Sequence, residues 1–247
     1  MGGHRIIRFA ELDSTNRHAL ARLAELEDGD VIQADVQTAG HGRMNRPWVS
    51  HVPGNLCLTI VVKPRHAAPA SLPLANLSQL LALAVCRALD AHAAPATLKW
   101  PNDVLVGGRK IAGLLAETVV QGHSFAGLAL GLGVNLNLDQ ATLATVSQPA
   151  TSLSDWTGSP VDADAFRDAV LDGFSAQRDQ LLERGFSLIR DAYLARCGFL
   201  GRPVEVRRGE ETIRGTAEDL DPDGALLIRT ESNRIEAVAI GEMFLLG

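Results

Sequence analysis

The sequence predicts an α+β protein: a large region of mixed strands and helices, residues 1–200, followed by a small all-β unit, residues 201–247. Three observations predict it. Leu98–Glu117 reads as a strand, a rigid Pro-Asn-Asp turn, a strand, a Gly-Gly hairpin turn and a third strand. Apolar residues recur at helical spacing after Asp13, from Leu74 and from Asp162. Beyond Gly201 the chain breaks into short alternating runs separated by Gly-Glu and Asp-Pro-Asp-Gly turns.

Taken in order, Ile6–Phe9 is a first strand. Asp13-Ser14-Thr15-Asn16 offers helix caps, and Leu20, Leu23, Ala24 and Glu27 carry the helix to a stop at Gly29. Val31–Gln37 alternates as a strand, and Leu56–Val62 is a buried one. Pro64, Pro69 and Pro73 punctuate the connection to the helix at Leu74. After a Gln121-Gly122 turn, Phe125–Asn137 is a long strand with Gly127, Gly131 and Gly133 inside it. Glycines there weaken a strand unless something must approach closely. Asp162–Glu183 is a helix broken by Gly185, and a short helix from Ser187 to about Arg196 closes the large region. Arg202–Arg208, Thr212–Leu220, Ala225–Arg229 and Arg234–Ile240 are strands of a small barrel, too small to be stable alone and so docked on the rest.

Composition narrows the function. With 46% apolar and 21% charged residues the balance is globular, and a net charge of -6 argues against a broad nucleic-acid face. Cys57, Cys86 and Cys197 show no CxxC spacing and read as reduced core thiols of a cytoplasmic protein. The Met-Gly-Gly-His-Arg start has no apolar signal core. Polar residues interrupt Leu74–Ala94, which reads as a buried helix rather than a membrane span.

The chemistry-bearing residues fall in a few stretches. Lys110 lies just past the Gly-Gly hairpin with Gly113 three residues on, a cation beside a bare backbone, suited to a phosphate or an activated carboxylate. Gly40-His41-Gly42-Arg43 and Arg46 form a loop that either wraps an anion or is a solvated surface loop. It is neither a dinucleotide fingerprint nor a Walker loop. Ser14, Thr15 and Asn16 read as caps or as ligand contacts, and Trp48 as core or as a stacking platform. Asn135 is a strand-end residue or a reader of an adenine edge, with Asn137 on the same face.

Ser14-Thr15-Asn16, Gln37-Thr38-Ala39-Gly40-His41-Gly42-Arg43 with Trp48, Lys99-Trp100-Pro101-Asn102-Asp103, Arg109–Glu117 and Gly131–Asn137 together resemble the catalytic region of biotin protein ligases, in the bacterial form without an N-terminal DNA-binding domain. The tail from Gly201 resembles that family's C-terminal SH3-like barrel. The resemblance implies a mixed sheet with flanking helices, like that of class II aminoacyl-tRNA synthetases. It implies a reaction in which biotin attacks the α-phosphate of ATP to give biotinyl-5′-AMP. A lysine of the biotin carboxyl carrier protein of acetyl-CoA carboxylase then takes the biotinyl group.

By resemblance Lys110 and Arg43 are catalytic. Ser14, Thr15, Asn16, Gln37, Gly40, His41, Gly42, Arg43, Lys110 and Gly113 bind biotin. Arg43, Arg46, Trp48, Asn102, Lys110 and Asn135 bind ATP, with Mg²⁺ on the phosphates and no assignable metal ligands. The implied partner is the carrier protein, with no DNA or membrane and a monomer or homodimer as the assembly. Two residues depart from the family pattern. His41 replaces an arginine, and Asn45 replaces a glycine whose left-handed backbone asparagine tolerates. A lipoate or octanoate ligase is the nearest alternative. A ligand sensor without turnover and a transcriptional regulator are further ones, and the retained Lys110 argues against the sensor.

Overall fold

The computed structural model describes residues 4–63, 74–121 and 124–246. The proline-punctuated connection and the Gln121-Gly122 turn expected from the sequence lie at least partly outside these residues. Seven strands form one mixed sheet: β1 (Ile6–Leu12), β2 (Val31–Gln37), β3 (Asn55–Val62), β4 (Ala96–Lys99), β5 (Asp103–Val106), β6 (Arg109–Gln121) and β7 (Ser124–Asn135). Their spatial order is β1-β2-β3-β7-β6-β5-β4, with β1 parallel to β2 and every other neighbouring pair antiparallel.

Helices flank the sheet: α1 (Thr15–Ala21), α2 (Leu74–Asp90), α3 (Gln140–Leu143), α4 (Leu153–Thr157), α5 (Ala163–Arg184) and α6 (Arg190–Leu194). Strand alternation sorts the core onto two faces. Ile60 and Val62 of β3 and Leu128 and Leu130 of β7 pack in the large cluster with α2 and α5. Val61 and Ala129 point the other way, into a small cluster with Ala19, Leu23 and Leu26 around α1. Along that second face the rows continue Val61, Thr59, Cys57 on β3 and Ala129, Gly131, Gly133 on β7, paired in register. The apolar rows therefore run out into a glycine floor, and that is where the site sits.

A separate sheet of five strands closes the chain: β8 (Pro203–Arg208), β9 (Glu211–Leu220), β10 (Leu226–Thr230), β11 (Ile235–Val238) and β12 (Glu242–Leu245), in the order β11-β10-β9-β8-β12 and all antiparallel. It docks on α2, where Asn76 donates to the Asp223 carbonyl and Gln79 to that of Gly224. Gly224 adopts φ +84 there, and a Cβ would stand 2.6 Å from Gln79 Oε1.

Several boundaries differ from the sequence reading. α1 ends at Ala21 rather than near Glu27, because Leu23 and Glu25 bond three residues back in tight turns. Leu23 and Leu26 still reach the core from those turns, so the apolar spacing reflected burial rather than helix. β7 stops at Asn135, and Asn137 faces away to exchange two hydrogen bonds with Val161. The helix expected from Ser187 to Arg196 is a 3₁₀ turn, Gly185–Leu188, and then α6. β12, α3 and α4 are additional elements without a strong sequence pattern. Burial pushes the thiols of Cys57, Cys86 and Cys197 up to about 12, which fits inert core residues. No helix among the described residues is long and apolar enough to cross a membrane.

Candidate active site

The glycine floor opens into a cleft of about 140 Å³. It collects Ser14, Thr15, Asn16, Gln37, His41, Gly42, Arg43, Arg46, Trp48, Asn102, Lys110 and Gly113, residues spread over a hundred positions of sequence. At one end is a pocket of uncharged polar groups. Ser14 caps α1, its hydroxyl accepting from the Arg17 amide, and this turns Thr15 and Asn16 inward. Gln37 Oε1 accepts from the Thr15 amide at 2.8 Å and faces the Thr15 hydroxyl at 3.1 Å. Thr59 Oγ1 lies 2.9 Å from Thr15 Oγ1 and 2.6 Å from Asn16 Oδ1. Asn16 Nδ2 donates to Glu117 Oε2 at 2.7 Å. Thr59 and Glu117 complete this network, and sequence reasoning missed Thr59; its only signal was a hydroxyl in an otherwise apolar strand.

The glycines make room for these groups. A Cβ on Gly131 would stand 2.4 Å from Asn16 Oδ1, and one on Gly133 2.5 Å from the Trp48 ring. Gly40 sits just behind the cleft rather than lining it, and a Cβ there would meet Ser50 Oγ at 2.4 Å. Gly113 lets the Lys110 side chain lie across it, with a Cβ position 3.2 Å from Nζ.

At the other end are cations. Lys110 Nζ is 2.7 Å from Asp103 Oδ1 and 5.5 Å from the Trp48 ring centroid. Its backbone is clamped between the Pro149 carbonyl and the Thr151 amide. Asn102 donates to the Leu114 carbonyl at 2.7 Å and fixes the turn before β5. The loop from Gly40 to Trp48 arches over these groups. Met44 and Asn45 both take left-handed backbone, φ 56 and 55, so Asn45 fills the place expected of a glycine. Arg43 donates to the Gly241 carbonyl at 2.9 Å, and Arg46 pairs with Glu242, so the C-terminal sheet borders the cleft. Burial holds the Arg43 guanidinium below the ordinary arginine value, opposed by Asp103 and Glu242. The Arg46 contact holds Glu242 below the usual carboxylate range.

Asn135 does not join this cleft: it is buried, its amide donating to the Thr151 carbonyl at 3.0 Å. Trp48 Nε1 is buried with no hydrogen-bond partner among the described residues. No cluster of three or more His, Cys, Asp or Glu among the described residues is arranged to hold a metal.

The profile of the biotin/lipoate A/B protein ligase family matches residues 8–135, and that of the biotin protein ligase C-terminal domain residues 199–246. A biotin–[acetyl-CoA-carboxylase] ligase of Paracoccus denitrificans is 37% identical over 241 residues, covering 96% of this chain and 98% of the relative. One from Mycobacterium tuberculosis is 33% identical, covering 95% of this chain and 86% of the relative. Biotin protein ligase from Aquifex aeolicus in complex with biotin and ATP superimposes with a TM-score of 0.82 at 29% identity over 98% of both chains. With residues 8–135 and 199–246 matched by these two profiles and a 37% identical relative aligned over 96% of its length, this chain belongs to the biotin/lipoate A/B protein ligase family and carries the biotin protein ligase C-terminal domain.

Proposed function

We propose that the cleft activates biotin with ATP and hands the biotinyl group to a lysine of the carrier protein of acetyl-CoA carboxylase. The observation that carries this reading is the polarity of the cleft. Uncharged amides and hydroxyls (Ser14, Thr15, Asn16, Gln37) line one end, with Thr59 bracing Thr15 and Asn16 from behind, and Lys110, Arg43 and Arg46 gather at the other. Biotin has matching ends, a neutral cyclic urea with donors and an acceptor, and a carboxylate. A lipoyl ring has no N–H or C=O to meet the amides, and a site built on hydrogen bonds rejects a ligand that leaves them unpaired.

In the first step a carboxylate oxygen of biotin attacks the α-phosphorus. The bond to the bridging oxygen breaks and pyrophosphate leaves with its electron pair. Two anions must meet for this to happen, so fixed cations lower the barrier by offsetting the repulsion and the charge on the equatorial oxygens. In this reading Lys110 serves both the carboxylate and the phosphate, and Arg43 and Arg46 close from the loop. The nucleotide would enter as its Mg²⁺ complex, the ion adding positive charge at the phosphates. In the second step a neutral lysine amine of the carrier attacks the anhydride carbonyl carbon, AMP leaves and the amine loses a proton. Trp48 covers the adenine in this reading, and Asn102 steadies the turn beneath the nucleotide. Asn135 braces the 149–151 segment through Thr151 and, in this reading, turns its remaining amide groups to the adenine edge.

The chain divides at about residue 200 into a catalytic unit and a barrel, with the barrel bordering the cleft through Gly241 and Glu242. Thermal shift with biotin and with lipoate tests the reading. Biotin should raise Tm and lipoate should not, and pyrophosphate should appear with ATP and biotin together. A shift with lipoate alone contradicts it.

A further inference from the structure

We infer that His41 is a proton-operated latch that fastens the Gly40–Trp48 loop to β6 through Glu117. The imidazole is tucked in, with its side chain 11% exposed. Its Nδ1 lies 3.4 Å from the Ala39 carbonyl oxygen and its Nε2 3.9 Å from Glu117 Oε2. Both neighbours are acceptors without a proton. A neutral imidazole has one N–H, so whichever acceptor it serves, a lone pair faces the other. Only the imidazolium can donate from Nδ1 to the Ala39 carbonyl and also turn a positive charge toward the Glu117 carboxylate, an ion-pair contact at 3.9 Å rather than a hydrogen bond, and histidine is the side chain that changes charge near neutral pH.

The surroundings single out Glu117. Asp103 faces Lys110, Glu242 faces Arg46, and Asp13 faces Arg17 at the start of α1. Glu117 Oε2 takes a hydrogen bond from the neutral Asn16 amide. Arg43 and Arg46 on the same loop, Lys110 on β6 and Lys99 on β4 border the cleft and oppose a further positive charge. An arginine at position 41 would hold the latch shut at any working pH; a histidine lets it open. His41 moves with its loop, since it bridges to Pro47 and is flanked by the Gly42 to Arg46 and Trp48 to Gly40 backbone bonds.

The latch itself does not depend on the identity of the ligand; its consequence for binding rests on the biotin reading. An anionic carboxylate entering beside the closed loop favours the charged ring, so binding takes up protons. Affinity is then greater at pH 6 than at pH 8.

The test is amide hydrogen exchange of Gly42 and Trp48 in the free protein at pH 6 and pH 8, corrected for the intrinsic rate, in wild type, His41→Gln and Glu117→Gln. Wild type should be about threefold or more better protected at pH 6, and both variants should show equal protection at the two pH values. Equal protection in wild type overturns the latch. Titration calorimetry of biotin at pH 7 in phosphate and in Tris then reads proton uptake, expected for wild type and absent for His41→Gln. Binding without uptake overturns the coupling. No biotin binding at all by a protein whose exchange shows the latch overturns the biotin reading and leaves the latch standing.

Discussion

Lys110 Nζ stands 2.7 Å from Asp103 Oδ1, a cation docked against its own hairpin. The register of β5 and β6 slips between Val104 and Leu105, so that Asp103 lies opposite Gly113 while Lys110 lies opposite Leu105. The bare Gly113 backbone then lets the ammonium fold back toward Asp103. Lys110→Ala should fold normally, because the side chain meets a cleft and not the core. Pyrophosphate release should fall on the order of 10²–10³, as for loss of one transition-state charge contact. Asp103→Asn should cost less, about tenfold, because the cation remains but loses the partner that aims it. Single-turnover rates on both variants check the order.

Gly131→Ala places a methyl 2.4 Å from Asn16 Oδ1, on the side of β7 that carries the polar pocket. Something must shift, and Asn16 is tied to Thr59 and Glu117. The variant should lose about 1–3 kcal/mol of stability from overpacking and bind biotin more weakly in calorimetry. Gly108→Ala is the control: nothing lies within 4 Å of its Cβ position, so it should show only the strain of a positive φ and unchanged biotin affinity.

Arg43→Gly removes a half-buried guanidinium anchored on the Gly241 carbonyl. Its loss should loosen the loop over the adenylate more than it slows synthesis, since Lys110 stays in place. The dissociation rate of purified biotinyl-AMP should rise by about tenfold or more, read by filtration or by tryptophan fluorescence.

Glu242 differs from His41 in the pH range over which it acts. The hydrogen bonds from Arg46 hold its carboxyl below the ordinary glutamate value. A depressed carboxylate contributes stability that is present above its unfolded-state pKa, about 4.3, and lost as pH falls through the folded value. Glu242→Gln should therefore raise exchange at Trp48 equally at pH 6 and pH 8. The pair is partly exposed, so the loss should be no more than about 1 kcal/mol.

Much of this fold was legible because local chemistry and global architecture agree in it. The Gly107-Gly108 hairpin, with φ 56 and 74, and the Ser14 cap follow directly from residue type. So does the need for close approach at Gly131 and Gly133, which the structure answers with Asn16 and Trp48. Short elements were not legible: β12 is four residues long and exists through its pairing with β8. At the cleft, spacing could not show that β7 ends at Asn135 and that its amide is used by Thr151. Nor could it show that Thr59 and Glu117 complete the polar network, because those contacts join β3, α1 and β6 from distant parts of the chain.

The most direct measurement of the central claim is transfer of labelled biotin to a carrier domain bearing its acceptor lysine, with ATP and Mg²⁺ present. Label should become covalently attached to that lysine, depend on ATP, and be lost with Lys110→Ala. A folded protein that leaves the carrier unlabelled with biotin, or that loads it with lipoate instead, would contradict the account.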